Sequence, residues 1–366
     1  MLVSAPTAAS SSTVAVGWMV ADMRPSTVPA RCGPGGNLTT IGQTPQDAPA
    51  ASGADLRRVA VTVVTIAAVA GIIWLNRGDL EALEELTVAA AVLIVVLQVA
   101  YLLPQSYRYE IITEEHAGVA LPSIPWFRIF TFGMLLNNFL MQAGLVYRSA
   151  ALKRLAGVGL SAYVGSYASF AWLSLLLNLA AASVLLGALS PGVEFGPLPA
   201  WAAMIGAGLV VAVVPVALQR FAARFQSSSR IVRVVSEMLD DIVGLPRRPR
   251  FLRRFLVASA VATAAGTSVV LAAADALGAG VSVGEAALFL ALVQMSSLVV
   301  VTPGNIGVRE LAFGLIGSAL ETGAVNGLLI SAVTRATGVV ALVLAAGAAT
   351  VLERVFHGEL RAPAGS

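Results

Sequence analysis

The chain has 366 residues, of which 57% are hydrophobic and 12% are charged, and its formal net charge is +3. Its mean hydropathy is +0.84, and a small charge excess spread over loops is typical of membrane topology, not of nucleic-acid binding. The single cysteine, Cys32, excludes an internal disulfide, and the two histidines lie far apart. The only lysine follows no glycine-rich phosphate loop. We therefore expect no metal, no cofactor, no nucleic-acid partner and no ATP hydrolysis.

The N-terminal segment, residues 1–55, is rich in Ala, Ser, Thr, Pro and Gly. Such a composition cannot bury a core, so it predicts a disordered tail. Six apolar runs follow, and they approach or exceed the roughly 20 residues needed to cross a bilayer. They are residues 59–75, 88–103, 162–186, 200–218, 255–276 and 327–352. The sequence therefore predicts an all-α polytopic membrane protein with six full spans.

Charged residues between the runs predict the orientation of the chain. Arg57 and Arg58 precede the first run, whereas the loop after it is acidic. Because basic loops stay in the cytoplasm, we expect a cytoplasmic N-terminus, with Arg108 and Arg128 returning to that side after the second run. We also expect the C-terminal tail, residues 354–366, in the cytoplasm, and the protein in the plasma membrane (the inner membrane of the cell).

The run 129–147 decides the number of spans, because basic residues stand on both sides of it. If this run crossed the membrane, the strongly basic loop 219–254 would lie outside. A run that dips in and returns keeps every basic loop in the cytoplasm, and Asn137 and Asn138 at its centre suit a buried turn. We favour a re-entrant helical hairpin, and eight full spans is the alternative.

The stretch 286–320 predicts a second re-entrant hairpin, entered from the opposite face. Only one later span, 327–352, returns the chain to the cytoplasm, so this stretch must enter and leave on the outer side. Two hairpins that meet near the middle of the bilayer resemble the broken-helix arrangement of secondary transporters. The basic loop 219–254 also carries apolar residues at helical spacing over 231–243. They predict an amphipathic helix that lies at the inner membrane interface or packs against another cytoplasmic loop.

The strongest candidate site lies where Pro303, Gly304, Gly307, Arg309 and Glu310 interrupt the second hairpin. A helix that restarts after Gly307 presents free N–H groups and a partial positive charge, which together with Arg309 suit a lipid phosphate. Glu310 would hold Arg309 in place or carry a proton. The alternative interpretation is a structural kink with a local ion pair, but charge in hydrocarbon is costly, so we favour a functional site.

Two further groups are candidates for substrate binding. Arg335 stands alone in a long apolar run, where it would pair with Glu310 or an anionic ligand, or else extend to the outer headgroups. The early hairpin contributes the remaining group: Asn137, Asn138, Gly144 and Arg148. Its amides would bind a headgroup or complete a turn, and Arg148 would contact phosphate.

These residues resemble the flippase-like membrane family of the lysylphosphatidylglycerol synthase transmembrane domain. The late signature of that family matches Pro303, Gly304, Gly307 and Glu310, followed by Arg335. The resemblance covers residues 56–353. The early signature matches only in part, because its proline is absent and Leu145 stands where an acid is usual. An arginine often found in the next helix is also missing near residues 169–172.

The resemblance implies translocation of a lipid or handling of a lipid-linked glycan. No part of the sequence resembles the soluble aminoacyl-transferase domain of bifunctional relatives, so it implies no synthesis, and we expect a protein that is not an enzyme. The expected partners are anionic membrane lipids. The alternative is a non-transporting membrane partner of a separately encoded lipid-modifying enzyme or glycosyltransferase.

Overall fold

The computed structural model describes residues 86–140, 142–224, 236, 239–240, 242–298, 305–320 and 322–359. In these ranges almost all of the chain is helical. The helices are α1 Val88–Ala117, α2 Ser123–Phe139, α3 Ala143–Ala156, α4 Leu160–Leu189, α5 Ala200–Arg224, α6 Pro249–Asp275, α7 Val283–Leu298, α8 Val308–Ala319 and α9 Ala324–Glu359, with a short 3-10 helix at Leu245–Arg247. Two strands, β1 Glu194–Phe195 and β2 Leu198–Pro199, form an antiparallel pair before α5.

Some of the predicted elements lie outside the described residues. They are the N-terminal tail, the first apolar run 59–75, most of the amphipathic helix at 231–243, and Pro303 and Gly304. Within that amphipathic segment, Leu239 and Ile242 are buried, and both belong to its predicted apolar face.

Five described helices, α1, α4, α5, α6 and α9, are long and apolar enough to cross a membrane. They coincide with the last five predicted runs, which confirms an all-α membrane protein. Capping residues set both ends of α1. The hydroxyl of Thr87 accepts a hydrogen bond from the N–H of Ala90 at the start of α1, and Gly118 ends the helix with φ 66°.

Four shorter helices form two hairpins. In the described ranges α2 and α3 contain 17 and 14 residues, and α7 and α8 contain 16 and 12. In the first hairpin the ring of Phe132 contacts that of Tyr147 at 6.4 Å between centroids, so α3 runs back along α2. In the second hairpin Phe289 contacts Phe313 at 4.8 Å, so α8 runs back along α7.

The two hairpins open at opposite ends of the helix bundle. At one end, Arg128 of α2 pairs with Glu353 near the end of α9 at 2.8 Å, and Arg248 before α6 pairs with Glu115 near the end of α1. The first hairpin begins and ends there. At the other end, Ser190 after α4 hydrogen-bonds Ser282 before α7 at 2.8 Å, and the second hairpin opens on that side.

Candidate functional site

The second hairpin returns through a left-handed turn that starts α8. Asn305 has φ 54° and Gly307 has φ 88°. The amide of Asn305 donates to the carbonyl of Ser296 at 2.8 Å, which fastens the returning chain to α7. Asparagine and glycine are the residues that adopt positive φ most readily, so the sequence suits this turn.

Glu310, in the first turn of α8, is only 8% exposed, and both of its carboxylate oxygens accept hydrogen bonds. The backbone N–H of Gly307 donates to Oε2 at 2.6 Å, and Nε of Arg335 on α9 donates to Oε1 at 2.6 Å. The carboxylate therefore caps the helix and neutralises Arg335 at the same time. No hydrogen bond or ion pair between Glu310 and Arg309 is found in the described part of the chain, since neighbouring residues on a helix point to different faces, and the role of Glu310 stays a prediction.

Arg309 uses other partners. Its Nη2 donates to the hydroxyl of Thr334 on α9 at 2.6 Å, and its guanidinium lies 5.3 Å from the ring centre of Phe313. Its Nε is buried without a hydrogen-bond partner in the described part of the chain, and no ion pair to Arg309 is found there either. Since Glu310 pairs with Arg335, no carboxylate in the described ranges pairs with Arg309.

Two adjacent residues of α9, Thr334 and Arg335, thus contact Arg309 and Glu310 of α8. Arg335 also donates through Nη2 to the carbonyl of Asn305 at 3.2 Å, so it contacts the turn before α8. The carbonyl of Thr334 accepts from Gln98 of α1 at 2.9 Å. The sequence prediction that Arg335 pairs with Glu310 is the arrangement found here, while the role of either residue in binding stays a prediction.

Glycines allow α8 and α9 to approach closely enough for these contacts. A Cβ on Gly327 would lie 2.1 Å from the carbonyl oxygen of Phe313, and one on Gly317 would lie 2.5 Å from that of Gly323. Only hydrogen fits at either position, as in other close helix pairs of membrane proteins.

In the first hairpin Asn137 joins the two helices through Gly144, whereas Asn138 bonds within α2. The side-chain carbonyl of Asn137 accepts from the N–H of Gly144 at 2.8 Å, and the amide of Asn138 donates to the carbonyl of Met134 at 3.0 Å. A Cβ on Gly144 would lie 1.8 Å from the carbonyl oxygen of Gly133. Of the two uses that the sequence left open for these amides, a turn and a headgroup, the first is the one that these contacts serve.

Arg148 lies across the same hairpin and is 3% exposed. Its Nε donates to the carbonyl of Gly144 at 3.1 Å, and its guanidinium lies 5.5 Å from the ring centre of Tyr109 on α1. Among the described residues no hydrogen bond or ion pair joins Arg148 to the group around Arg309. The two predicted sites are therefore separate clusters.

Sequence reasoning missed Arg108, which it assigned to the cytoplasmic side. Arg108 is 1% exposed; its Nη2 donates to the hydroxyl of Ser174 on α4, and its guanidinium lies 5.4 Å from the ring of Phe170. The arginine expected near residues 169–172 is absent from α4, but Arg108 of α1 reaches that part of the helix. The usable signal was the spacing of Gln98, Gln105 and Arg108, which places them on one face of α1.

Comparison with known proteins gives one finding. The family model described as the lysylphosphatidylglycerol synthase TM region matches residues 59–347. No significant match was found among curated proteins or among solved structures. The matched range includes both hairpins, all of α1 to α8 and most of α9. The chain therefore belongs to the family of the lysylphosphatidylglycerol synthase transmembrane region.

Proposed function

We propose that this protein moves an anionic phospholipid or a lipid-linked anionic headgroup between the leaflets of the plasma membrane. The proposal includes six full spans, two re-entrant hairpins and cytoplasmic termini. It includes no catalytic step, because the candidate residues bind charge and none of them is arranged to break a bond.

The observation that carries the proposal is the excess positive charge around the second hairpin. Arg309 lies in the apolar bundle beside the Glu310–Arg335 pair and has no ion-pair partner of its own among the described residues. An uncompensated cation at membrane depth costs at least about 2.5–3.5 kcal/mol, so the group favours an additional anion. A phosphate diester carries one negative charge and would balance it.

The hydrogen-bond geometry suggests how such a headgroup would be held. A phosphate can accept from the free Nε of Arg309 and compete with Glu310 for Arg335, since both are anionic acceptors for a guanidinium. Glu310 then serves as an internal counter-ion that pairs with Arg335 when the lipid leaves. We call the group of Arg309, Glu310, Thr334 and Arg335 the cradle.

The two hairpins suggest the access path. Each opens at a different end of the bundle, so rocking of one hairpin against the long helices would expose the cradle alternately to the two leaflets. Arg148, in the first hairpin, would receive or release the headgroup on the cytoplasmic side.

The test is translocation of fluorescent phosphatidylglycerol in liposomes that contain the purified protein. Losing one charge-assisted hydrogen bond costs about 1.5–3 kcal/mol, so we expect Arg309→Gln to slow translocation about tenfold or more. Arg309→Lys keeps the charge and should retain part of the rate.

Arg250→Gln is the matched control, because Arg250 is exposed and belongs to neither cluster. It should translocate lipid like the wild type. If wild-type protein moves none of several anionic lipids, or if Arg309→Gln moves them at the wild-type rate, the proposal is wrong. Co-purification of a stoichiometric lipid-modifying enzyme would then favour the non-transporting partner.

A further inference from the structure

A row of polar side chains runs along one face of α1 inside the bundle. Gln98, Tyr101, Gln105 and Arg108 follow one another at intervals of three and four residues. This spacing places them on the same side of a helix. Gln105 is 7% exposed and Arg108 is 1% exposed, whereas Gln98 and Tyr101 are half-buried.

The upper part of the polar face contacts the candidate cradle. Gln98 donates to the carbonyl of Thr334, the residue whose hydroxyl holds Arg309. The hydroxyl of Tyr101 accepts a hydrogen bond from Gln105, one turn further along α1. The row therefore extends from the contact with Thr334 and Arg309 towards Arg108.

The lower end of the polar face is Arg108. Besides its hydrogen bond to Ser174, its guanidinium faces the rings of Phe170 and Phe255 at 5.4 and 5.5 Å. The described residues contain no ion pair to Arg108, and its Nε is buried with no hydrogen-bond partner among them. Aromatic faces stabilise a cation but do not neutralise it.

Helix α6 packs against this polar face of α1. A Cβ on Gly266 would lie 3.0 Å from the ring of Tyr101, and Phe255 faces Arg108. Ser259 also belongs to α6. Ser259 is 3% exposed, and its hydroxyl has no hydrogen-bond partner in the described ranges.

Three buried polar atoms on or beside this face thus lack partners among the described residues: Gln105 Oε1, Arg108 Nε and Arg309 Nε. Buried polar groups are almost always hydrogen-bonded, because leaving one without a partner is costly. Their alignment between two arginines favours a path for a polar, anionic group.

We propose that this polar face of α1 is the path along which the headgroup travels, and that Arg108 is a second phosphate-binding site at its far end. This inference rests on the proposed function, since it names the route by which a headgroup held at Arg309 would move across the bundle. The ligand chemistry is a phosphate ester, whether in a phospholipid or as free phosphate.

The test uses a single cysteine at Gln105, introduced into a Cys32→Ser background, in the protein reconstituted into liposomes. A small anionic thiol reagent and a cationic one of the same size are compared, each relative to its rate with a free thiol in solution. Because Arg108 lies one turn away, we expect the anionic reagent to be favoured about tenfold. Arg108→Gln should abolish this preference, and Arg108→Lys should keep it.

Leu103→Cys, on the exposed face of the same helix, is the control, and it should show no such preference. Short-chain phosphatidate and inorganic phosphate are then tested as protectants of the cysteine at position 105. Protection by the lipid alone identifies a headgroup site, and protection by both identifies a general phosphate site; each supports Arg108 as an anion site.

A cysteine at position 105 that is inert, or that reacts equally with both reagents while Arg108 is present, overturns the path. This result is independent of the lipid assay with Arg309 variants, so a lost path and a lost transport function are distinguishable. If Arg108→Gln does not fold, the comparison of the two reagents in the presence of Arg108 still decides the matter.

Discussion

At the scale of single residues, Glu310 and Arg335 form an ion pair in which each charge compensates the other. Each side chain is at most 18% exposed, and the carboxylate has two donors at 2.6 Å. Removing one member of such a pair leaves a buried charge without compensation, whereas removing both can cost much less.

We therefore expect Glu310→Gln and Arg335→Gln each to lower stability by about 3–5 kcal/mol, and the double variant Glu310→Gln/Arg335→Gln to lose less than either single variant. Thermal unfolding of the purified protein in detergent measures this cycle. The control is Arg248→Gln, which breaks the more exposed pair with Glu115 and should change stability by about 1 kcal/mol or less. Additive losses in the cycle would contradict the pairing.

How far the sequence predicts single residues depends on their surroundings. Arg335 stands alone in an apolar run, so the sequence predicts that it needs a partner. The sequence did not predict Thr334 as the partner of Arg309, because helix geometry separates neighbours such as Arg309 and Glu310. The burial of Arg108 was not foreseen, because charge counting treats an arginine near the end of an apolar run as an interface residue, while its burial depends on α4 and α6.

At the scale of elements, α8 depends on α9. A helix of 12 residues is too short to be stable alone, and this one lies against α9 through glycine contacts at Gly317 and Gly327. The same two helices hold Arg309 on Thr334 and Glu310 on Arg335 about two turns further on. The packing of the glycines therefore sets the geometry of the cradle.

Gly327→Ala should both destabilise the protein and slow lipid translocation. The added methyl group would lie 2.1 Å from the carbonyl oxygen of Phe313, so α8 must move away from α9. Overpacking of this kind typically costs about 1–3 kcal/mol. Gly347→Ala, on the same helix but in open space, is the matched control and should match wild type in unfolding temperature and translocation. Equal behaviour of the two variants would show that the close contact is unimportant.

The elements themselves were largely predictable. Apolar runs located the five long helices, and Gly307 marked the start of α8. The precise tightness of the α8–α9 contact was not predictable, because one sequence does not show which glycines face each other across two helices.

At the scale of the whole molecule, the ends of the long helices sort into two groups. The ion pairs Arg128–Glu353 and Arg248–Glu115 gather the ends of α1 and α9 with the starts of α2 and α6. The hydrogen bond between Ser190 and Ser282 marks the other side. Charge counting had predicted the same grouping, since basic residues concentrate where these ion pairs lie.

Single cysteines at Ala120, Lys153 and Glu194, all exposed positions, should report this arrangement in a Cys32→Ser background. We expect membrane-impermeant maleimide to label Ala120→Cys and Lys153→Cys from the cytoplasmic face and Glu194→Cys from the opposite face. A permeant maleimide that labels all three is the control for reactivity. Labelling of Ala120→Cys and Lys153→Cys from opposite faces would show that the stretch between them crosses the membrane, as the eight-span alternative requires.

The carboxylate of Glu310 has a consequence that extends past charge balance. It accepts from the N–H of Gly307 at the start of α8 and from Arg335 at once. The fraying of α8 and the release of Arg335 are therefore energetically coupled. By reciprocity, an anion that binds Arg335 more tightly when α8 is frayed must itself promote fraying by the same factor. Ligand occupancy at Arg335 and local unfolding at the start of α8 are thus linked equilibria, so a bound anion would shift the fraying of α8.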